Sequence, residues 1–261
     1  MHRLKLLTAV ASTAVLAFAS TAAAAGSHGR SDYSLLQMNL CLSGLAGCFA
    51  GTHYPAVVDE AIAKVQANRP DAVTLNEACS GDVGRIAAET GYHARFSTVI
   101  FNGAPLPCRN PTGRGVFGNA VLTRAAIEGA QEAPYSAQLG SEQRRWVCVE
   151  GSDGVRACTS HLGVSGTAEQ NATNGAQCVE LTDVLASGDA IEPTILGGDM
   201  NRQASCAPRG FWTERDEEAV QDSGLQHVYG NWSRFAQPRD EVLPMTFSDH
   251  DALLVHALLH G

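Results

Sequence analysis

The 261 residues carry a formal charge of −9, and 44% of them are hydrophobic. That suits one sizeable domain, or at most two small ones. It is not the balance of a chain built for tight non-specific binding to nucleic acid or an anionic membrane, although a local basic patch with a bound cation can offset the mean in a nucleic-acid enzyme.

In chain order, the first feature is an export signal. A basic start (Arg3, Lys5) leads into an apolar stretch from Leu6 to Phe18 and then small residues, with Ala23-Ala24-Ala25 before Gly26 as an A-x-A cleavage site. The apolar stretch is short for a bilayer span of ~20 residues, and no later segment is long or apolar enough to cross. Removal of residues 1–25 takes away Arg3 and Lys5 and leaves a mature chain of charge −11. Residues 26–32 read as a short flexible tail, and 33–261 as one domain. Localisation is therefore expected to be extracellular.

"YSLLQMN" (33–39) reads as a buried strand. Residues 55–68 have apolar positions at helical spacing, with Pro55 placed to start the helix. A short apolar strand over 70–79 and a helix over 81–90, ended by Gly91, follow. Strand-like runs occupy about 92–101, 115–123, 144–150 and 155–162, with a Gly/Pro-rich loop at 102–114. Residues 167–187 read as a helix with a break near Gly175, 193–201 as a buried strand, and 225–229 and 251–259 as the last strands. Trp212 and Trp232 fall in loops. Strands and helices are mixed and hairpins lie in the middle and end, which argues for an α/β or α+β layered fold rich in antiparallel sheet.

All eight cysteines follow the cleavage site, and an even number in an exported chain suggests disulfides. Zinc is the competitor, but there is no C-x2-C pair. Cys41 with Cys48 would close a short loop, and Cys148 with Cys158 would cross a hairpin turning at 151–154. Cys79–Cys108 and Cys178–Cys206 follow only by elimination.

The chemistry lies at strand ends. Asn39, Glu77, His161, Asp199 and Asn201 each close an apolar run, and Ser248, Asp249 and His250 stand just before the last one. Any one of these is ordinary, and "GDMN" alone reads as a turn. Gathered at one sheet edge, they offer hard oxygen ligands for Mg2+ or Mn2+, imidazole and amide donors for phosphate oxygens, and a carboxylate to orient or deprotonate water. The residues by themselves point to metal-assisted hydrolysis of a phosphate ester.

The order "LLQMN", "TLNEAC", "GRGVFGNAVLTR", "TSHL", "LGGDMN", "SDHDALLV" resembles the endonuclease/exonuclease/phosphatase superfamily, over residues 33 to 258. The resemblance implies an α/β (α+β) four-layered sandwich, with two antiparallel-rich sheets packed face to face and flanked by helices. It assigns Asn39 and Glu77 to a divalent cation, Mg2+ or Mn2+, with Asp249 beside it. It assigns His161 to phosphate, Asp199 to the attacking water, Asn201 to phosphate or that water, and His250 to acid/base work or phosphate donation. Asn119 and Arg114 are its candidates for meeting substrate, each with an ordinary alternative as a strand-start amide and a solvated loop arginine.

Two departures matter. Asn76 stands where the family usually has Gln, one methylene shorter. Gln226, in "LQHVYG", stands where many members carry the Asp that orients the catalytic histidine. A neutral amide fixes an imidazole's orientation but does not stabilise an imidazolium as a carboxylate does; Asp222 or Asp251 are the possible substitutes.

The expected activity is a secreted phosphodiesterase, with a nuclease favoured because Arg109, Arg114, Arg144, Arg145 and Arg202 are candidates for lining the site. The alternatives are a lipid or inositol phosphate hydrolase on the same scaffold, which would need an exposed apolar loop, and a secreted binding protein weakened in catalysis by Gln226. No stable membrane insertion and no protein partner is expected.

Overall fold

A computed structural model of the chain describes residues 31–187 and 192–260. The expected export signal and most of the tail lie outside the described residues. The elements run β1 (Ser31–Asn39), a 3-10 turn (Gly47–Thr52), α1 (Ala56–Asn68), β2 (Ala72–Cys79), α2 (Ser80–Thr90), β3 (His93–Thr98), β4 (Ile100–Phe101), β5 (Ala104–Pro105) and β6 (Phe117–Thr123). They continue with β7 (Ile127–Pro134), β8 (Glu142–Gln143), β9 (Arg145–Gly151), β10 (Arg156–His161), α3 (Ala168–Ala186), β11 (Thr194–Asp199), β12 (Phe211–Arg215), β13 (Gln226–Asn231), β14 (Phe235–Leu243) and β15 (Ala252–Leu259).

Two six-stranded sheets dominate, in the orders β14-β15-β1-β2-β6-β3 and β12-β13-β11-β10-β9-β7. Each has one parallel pair at its centre, β1 with β2 and β10 with β11, and antiparallel neighbours outside it. A parallel pair needs a crossover, and α1 and α3 supply the two. The fold is the mixed, layered α/β architecture expected. α1 and α2 cover the outer face of the first sheet through Val57, Val58, Ile62, Val83 and Ile86 against Leu36, Met38, Val73 and Leu75. α3 covers the second through Leu181 and Leu185 against Leu196 and Tyr229.

Between the sheets, the period of two in each strand writes three rungs. In the first sheet Leu35 pairs with Ala72, Gln37 with Thr74 and Asn39 with Asn76. In the second, Ala157 pairs with Ile195, Thr159 with Gly197 and His161 with Asp199. The first rung belongs to the apolar layer with Val121, Val149, Val228, Leu253 and Val255. The second is polar and buried, and the third carries the chemistry. Gly197 permits this: a Cβ there would strike Thr74 Oγ1, Leu35 Cδ2 and Gln37 Cβ of the facing sheet.

Several expectations change. α3 runs unbroken past Gly175, held at its start by a capping box of Thr167 and Gln170. β1 begins at Ser31, inside the stretch read as a tail, because β15 reaches it there and pairs Ser31 with Leu259. Trp212 is on β12 and buried, its Nε1 donating to Phe235 O at 3.0 Å. β7, β12 and β14 have no counterpart in the sequence reading. The four disulfides are Cys41–Cys48, Cys79–Cys108, Cys148–Cys158 and Cys178–Cys206, the pairs anticipated.

Candidate active site

The third rung brings Asn39, Asn76, His161 and Asp199 to the carboxyl ends of the two parallel pairs. Across the sheet interface, Asn39 Nδ2 donates to Asp199 Oδ2 at 2.9 Å and to Glu77 Oε1 at 3.4 Å. The Asp199 N–H donates to Asn76 Oδ1 at 2.8 Å, so the two sheets are locked at this depth by one backbone and one side-chain bond. The Nε2 atoms of His161 and His250 stand 3.8 and 3.6 Å from the same Asp199 oxygen. His250 is delivered by the turn before β15, where Ser248 Oγ donates to Asn39 O at 2.6 Å and accepts from His250 N at 3.2 Å.

Glu77 and Asn201 reach the site by bent backbone. β2 shifts register between Leu75 and Ala78, and Glu77 there has φ +52°. A bulge of this kind re-aims one side chain; without it, Glu77 would follow Val73 and Leu75 onto the outer face beneath α1 and α2 and miss the rung. Asn201 has φ +49°, and its N–H donates to Asp199 Oδ1 at 2.9 Å. "GDMN" is thus both an Asx turn and part of the cluster. The Asn201 amide nitrogen serves Leu162 O and His161 Nε2, each at 3.0 Å.

The ionisation states follow from this enclosure. Burial raises the Asp199 carboxyl, but His250, the Asn39 amide and the Asn201 N–H outweigh it and hold Asp199 below the usual carboxylate range. Burial, with the Arg144 charge beside it, pushes His161 down to about 3, so its ring is neutral. Burial pushes Glu77 up to about 7 against the pull of Arg144, with Asp199 and Asp249 adding to the rise.

A model of the Endonuclease/Exonuclease/phosphatase family matches residues 47–250. The chain belongs to that family. No curated protein matches it in sequence. Among solved structures, the family member from Beutenbergia cavernae DSM 12333 is 19% identical, with a TM-score of 0.65 over 88% of this chain and 72% of the other. The human nocturnin catalytic domain with bound sulfate is 14% identical, with a TM-score of 0.63 over 88% and 97%. D. rerio TDP2 complexed with a single-strand DNA product is 12% identical, with a TM-score of 0.62 over 87% and 99%. These likenesses show a shared fold.

Family members are phosphoester hydrolases, and the group generally uses a divalent metal. The donors here fit a hard cation. Among the described residues, the Glu77 carboxylate accepts a hydrogen bond only from the Asn39 amide, at one oxygen, and Asp249 Oδ1 is buried with no partner. Asp249 gathers with Asp222 and His250, their ligating atoms within 4.8 Å of one another. Asn39 is the weakest of the three expected ligands. Its NH2 faces the carboxylates, and its Oδ1 takes the Cys41 N–H at 3.2 Å, leaving one lone pair.

The remaining expectations divide. Asn119 is buried at the back of the site, its Oδ1 accepting from Asn76 Nδ2 at 3.1 Å. Arg114 is not a solvated or substrate-facing arginine: it pairs with Asp82 at 2.8 Å, both side chains 4% exposed, and donates to Leu42 O at 2.7 Å while stacking on Tyr54. Arg145 pairs with Glu132, and Arg202 donates to Asn174. Arg144, whose Nε pairs with Glu142 at 3.2 Å, alone of the five acts electrostatically on Glu77 and His161, and its Nη1 is buried without a partner among the described residues. Asp251 spends its oxygens on Val220 N and Met245 N, so it does not stand in for a histidine partner; Gln226 Nε2 meets His250 Nδ1 at 3.3 Å. Gln37 went unread as a site residue, although it lies two positions before Asn39 on the same strand face.

Proposed function

We propose that the chain is an exported, divalent-metal-dependent phosphodiesterase acting on nucleic acid. The observation that carries the reading is the meeting of Asp199 with His161, His250, Asn39 and the nearby Glu77 at one sheet edge, where the carboxylate is kept ionised by the Asn39 amide, the Asn201 N–H and His250. Asp199 orients the attacking water and accepts its proton. His250 holds a phosphoryl oxygen, Asn201, whose two amide protons go to Leu162 O and His161 Nε2, keeps its Oδ1 to orient that water, and the Arg144 charge favours an anion at the site. Glu77, Asp249 and Asn39 would hold Mg2+ or Mn2+, which when bound supplies charge neutralisation at the phosphate. His161, neutral, accepts from Asn201 and keeps that amide turned into the site.

Nucleic acid is favoured over a lipid headgroup. D. rerio TDP2, of the same fold, was solved with a DNA product. Among the described residues Trp232 is exposed while Trp212 is buried, and the other exposed large apolar side chains, Leu45, Leu139, Val164, Val179 and Val220, are scattered singly along the chain, so no apolar loop is concentrated for a membrane. Among the described residues no helix is long and apolar enough to cross one. Export suits the four disulfides and the absence of a free cysteine among the described residues.

The test incubates the oxidised chain with Mg2+ or Mn2+ and, in parallel, duplex DNA, RNA and sphingomyelin. Cleavage of a nucleic acid that disappears with chelator, and falls by at least about 1000-fold in Asp199→Ala, is the expected result. Turnover of sphingomyelin alone would move the substrate to lipid, and a chain that neither cleaves nor binds a divalent cation would end the hydrolase reading.

A further inference from the structure

Behind the reacting groups lies a line of three buried amides, Asn76, Gln37 and Gln226, each 0% exposed. Its polarity can be read from one end. The Asp199 N–H is a backbone donor, so the atom of Asn76 that meets it at 2.8 Å is the oxygen. The nitrogen of Asn76 then faces Asn119 Oδ1 and Thr159 Oγ1, at 3.1 and 3.3 Å. Gln37 meets that same Asn76 oxygen at 2.8 Å and must present its NH2, while its own oxygen takes the Thr74 hydroxyl at 2.5 Å. The Gln37 nitrogen also lies 2.8 Å from Gln226, which must therefore offer its oxygen. That turns the Gln226 NH2 to His250 Nδ1 at 3.3 Å. An amide NH2 has no lone pair to give. Reversing any one amide would set donor against donor or acceptor against acceptor in a buried layer.

We infer that Asn76, Gln37 and Gln226 are positioning residues that carry the polarity of the Asp199 N–H to His250 and fix it as the tautomer with its proton on Nε2. His250 thereby presents an N–H at the reacting centre, aimed between Asp199 Oδ2 at 3.6 Å and Asp222 Oδ2 at 3.9 Å. His161 has the opposite polarity. The Asn201 NH2, fixed by Leu162 O, donates to its Nε2, so that nitrogen accepts. Two imidazoles on one carboxylate are set apart by amides alone, one as donor and one as acceptor. Only the functional consequence rests on the phosphoesterase reading: His250 serves as a hydrogen-bond donor to phosphoryl oxygen.

The experiment is a multiple-bond proton–nitrogen correlation spectrum of the full, oxidised chain with its histidines labelled with nitrogen-15, at one neutral pH. A His250→Gln sample identifies the His250 signals. The expected pattern has Nδ1 pyridine-like and Nε2 pyrrole-like. In Gln226→Glu, the same length with an acceptor in place of the donor, Nδ1 becomes protonated. In Gln226→Met, which has neither, the fixed pattern gives way to averaged shifts. A native His250 protonated on Nδ1 overturns the relay, as does a pattern unchanged in a folded Gln226→Glu or Gln226→Met chain. The native spectrum decides even if both variants fail to fold. No substrate is involved, so a chain with this tautomer that hydrolyses nothing would leave the relay standing and remove the phosphoesterase reading.

Discussion

Arg114 and His227 are both buried, and neither is at the reacting centre. Arg114 was legible only as an arginine in a Gly-rich loop; its partner Asp82 lies on α2, far away in sequence, and no local pattern announces a long-range buried pair. His227 is a neighbour of Gln226 on β13, with Nδ1 against Tyr229 Oη at 2.6 Å and Nε2 against Gly224 O at 3.0 Å. Burial drives its pKa down to about 4. A histidine held neutral contributes stability that is present above its unfolded pKa of about 6.5 and is lost as pH falls towards the folded value. Urea denaturation of His227→Gln should show a loss between pH 6.5 and 4 that is smaller than the native chain's by roughly 3 kcal/mol. Equal losses in the two chains would mean that His227 is not kept neutral by the fold.

Elements were legible where they are central and obscure where they lie at the edge. β1, β2, β6, β10, β11 and β15 are buried on both faces for most of their length and appear as apolar runs. The three unread long strands, β7, β12 and β14, are all edges of their sheets. β7 is "IEGAQEAP", with no buried residue, and β14 carries Pro238 at a register shift, both ordinary ways to blunt an edge. The site was legible for the same reason as the central strands: its residues end apolar runs. The bulge that swings Glu77 inward left no local mark, because its backbone turn is made by glutamate and not by glycine. The glycine that matters is Gly197, where the facing sheet leaves no room for a methyl. Gly197→Ala should destabilise the chain by about 1–3 kcal/mol through overpacking. It should also lower kcat more than it raises KM, because it wedges Asp199 away from Asn76. Kinetics and melting of one preparation would check both; an unchanged kcat would show that the sheet spacing does not set the site.

At the scale of the whole molecule, the two sheets repeat one plan. β1-α1-β2 in the first corresponds to β10-α3-β11 in the second, and the strands flanking each unit pair with it in the same sense. The sequence hid this, since topology is a matter of pairing and leaves no repeat of residues. Spacing suggested the two disulfides of shortest separation, Cys41–Cys48 at 7 residues and Cys148–Cys158 at 10, while those separated by 29 and 28 followed only by elimination. Cys178–Cys206 ties α3 to the loop beyond Asn201. Replacing both cysteines by serine should cost about 3–4 kcal/mol of unfolding free energy and make that loop the first to be cut by protease; an unchanged urea midpoint would show that packing alone holds it.

The strand orders also impose a timetable. Six strands of the second sheet come from one continuous stretch, Ile127 to Asn231, but the first sheet must wait for β14 and β15, which follow that stretch. A polypeptide made from its amino terminus can complete the second sheet and join all four cysteine pairs while the first still lacks a third of its strands. The inner layer stays open until Leu253 and Val255 arrive, and His250 arrives just ahead of them. The cluster around Asp199 is complete only once that segment has been made.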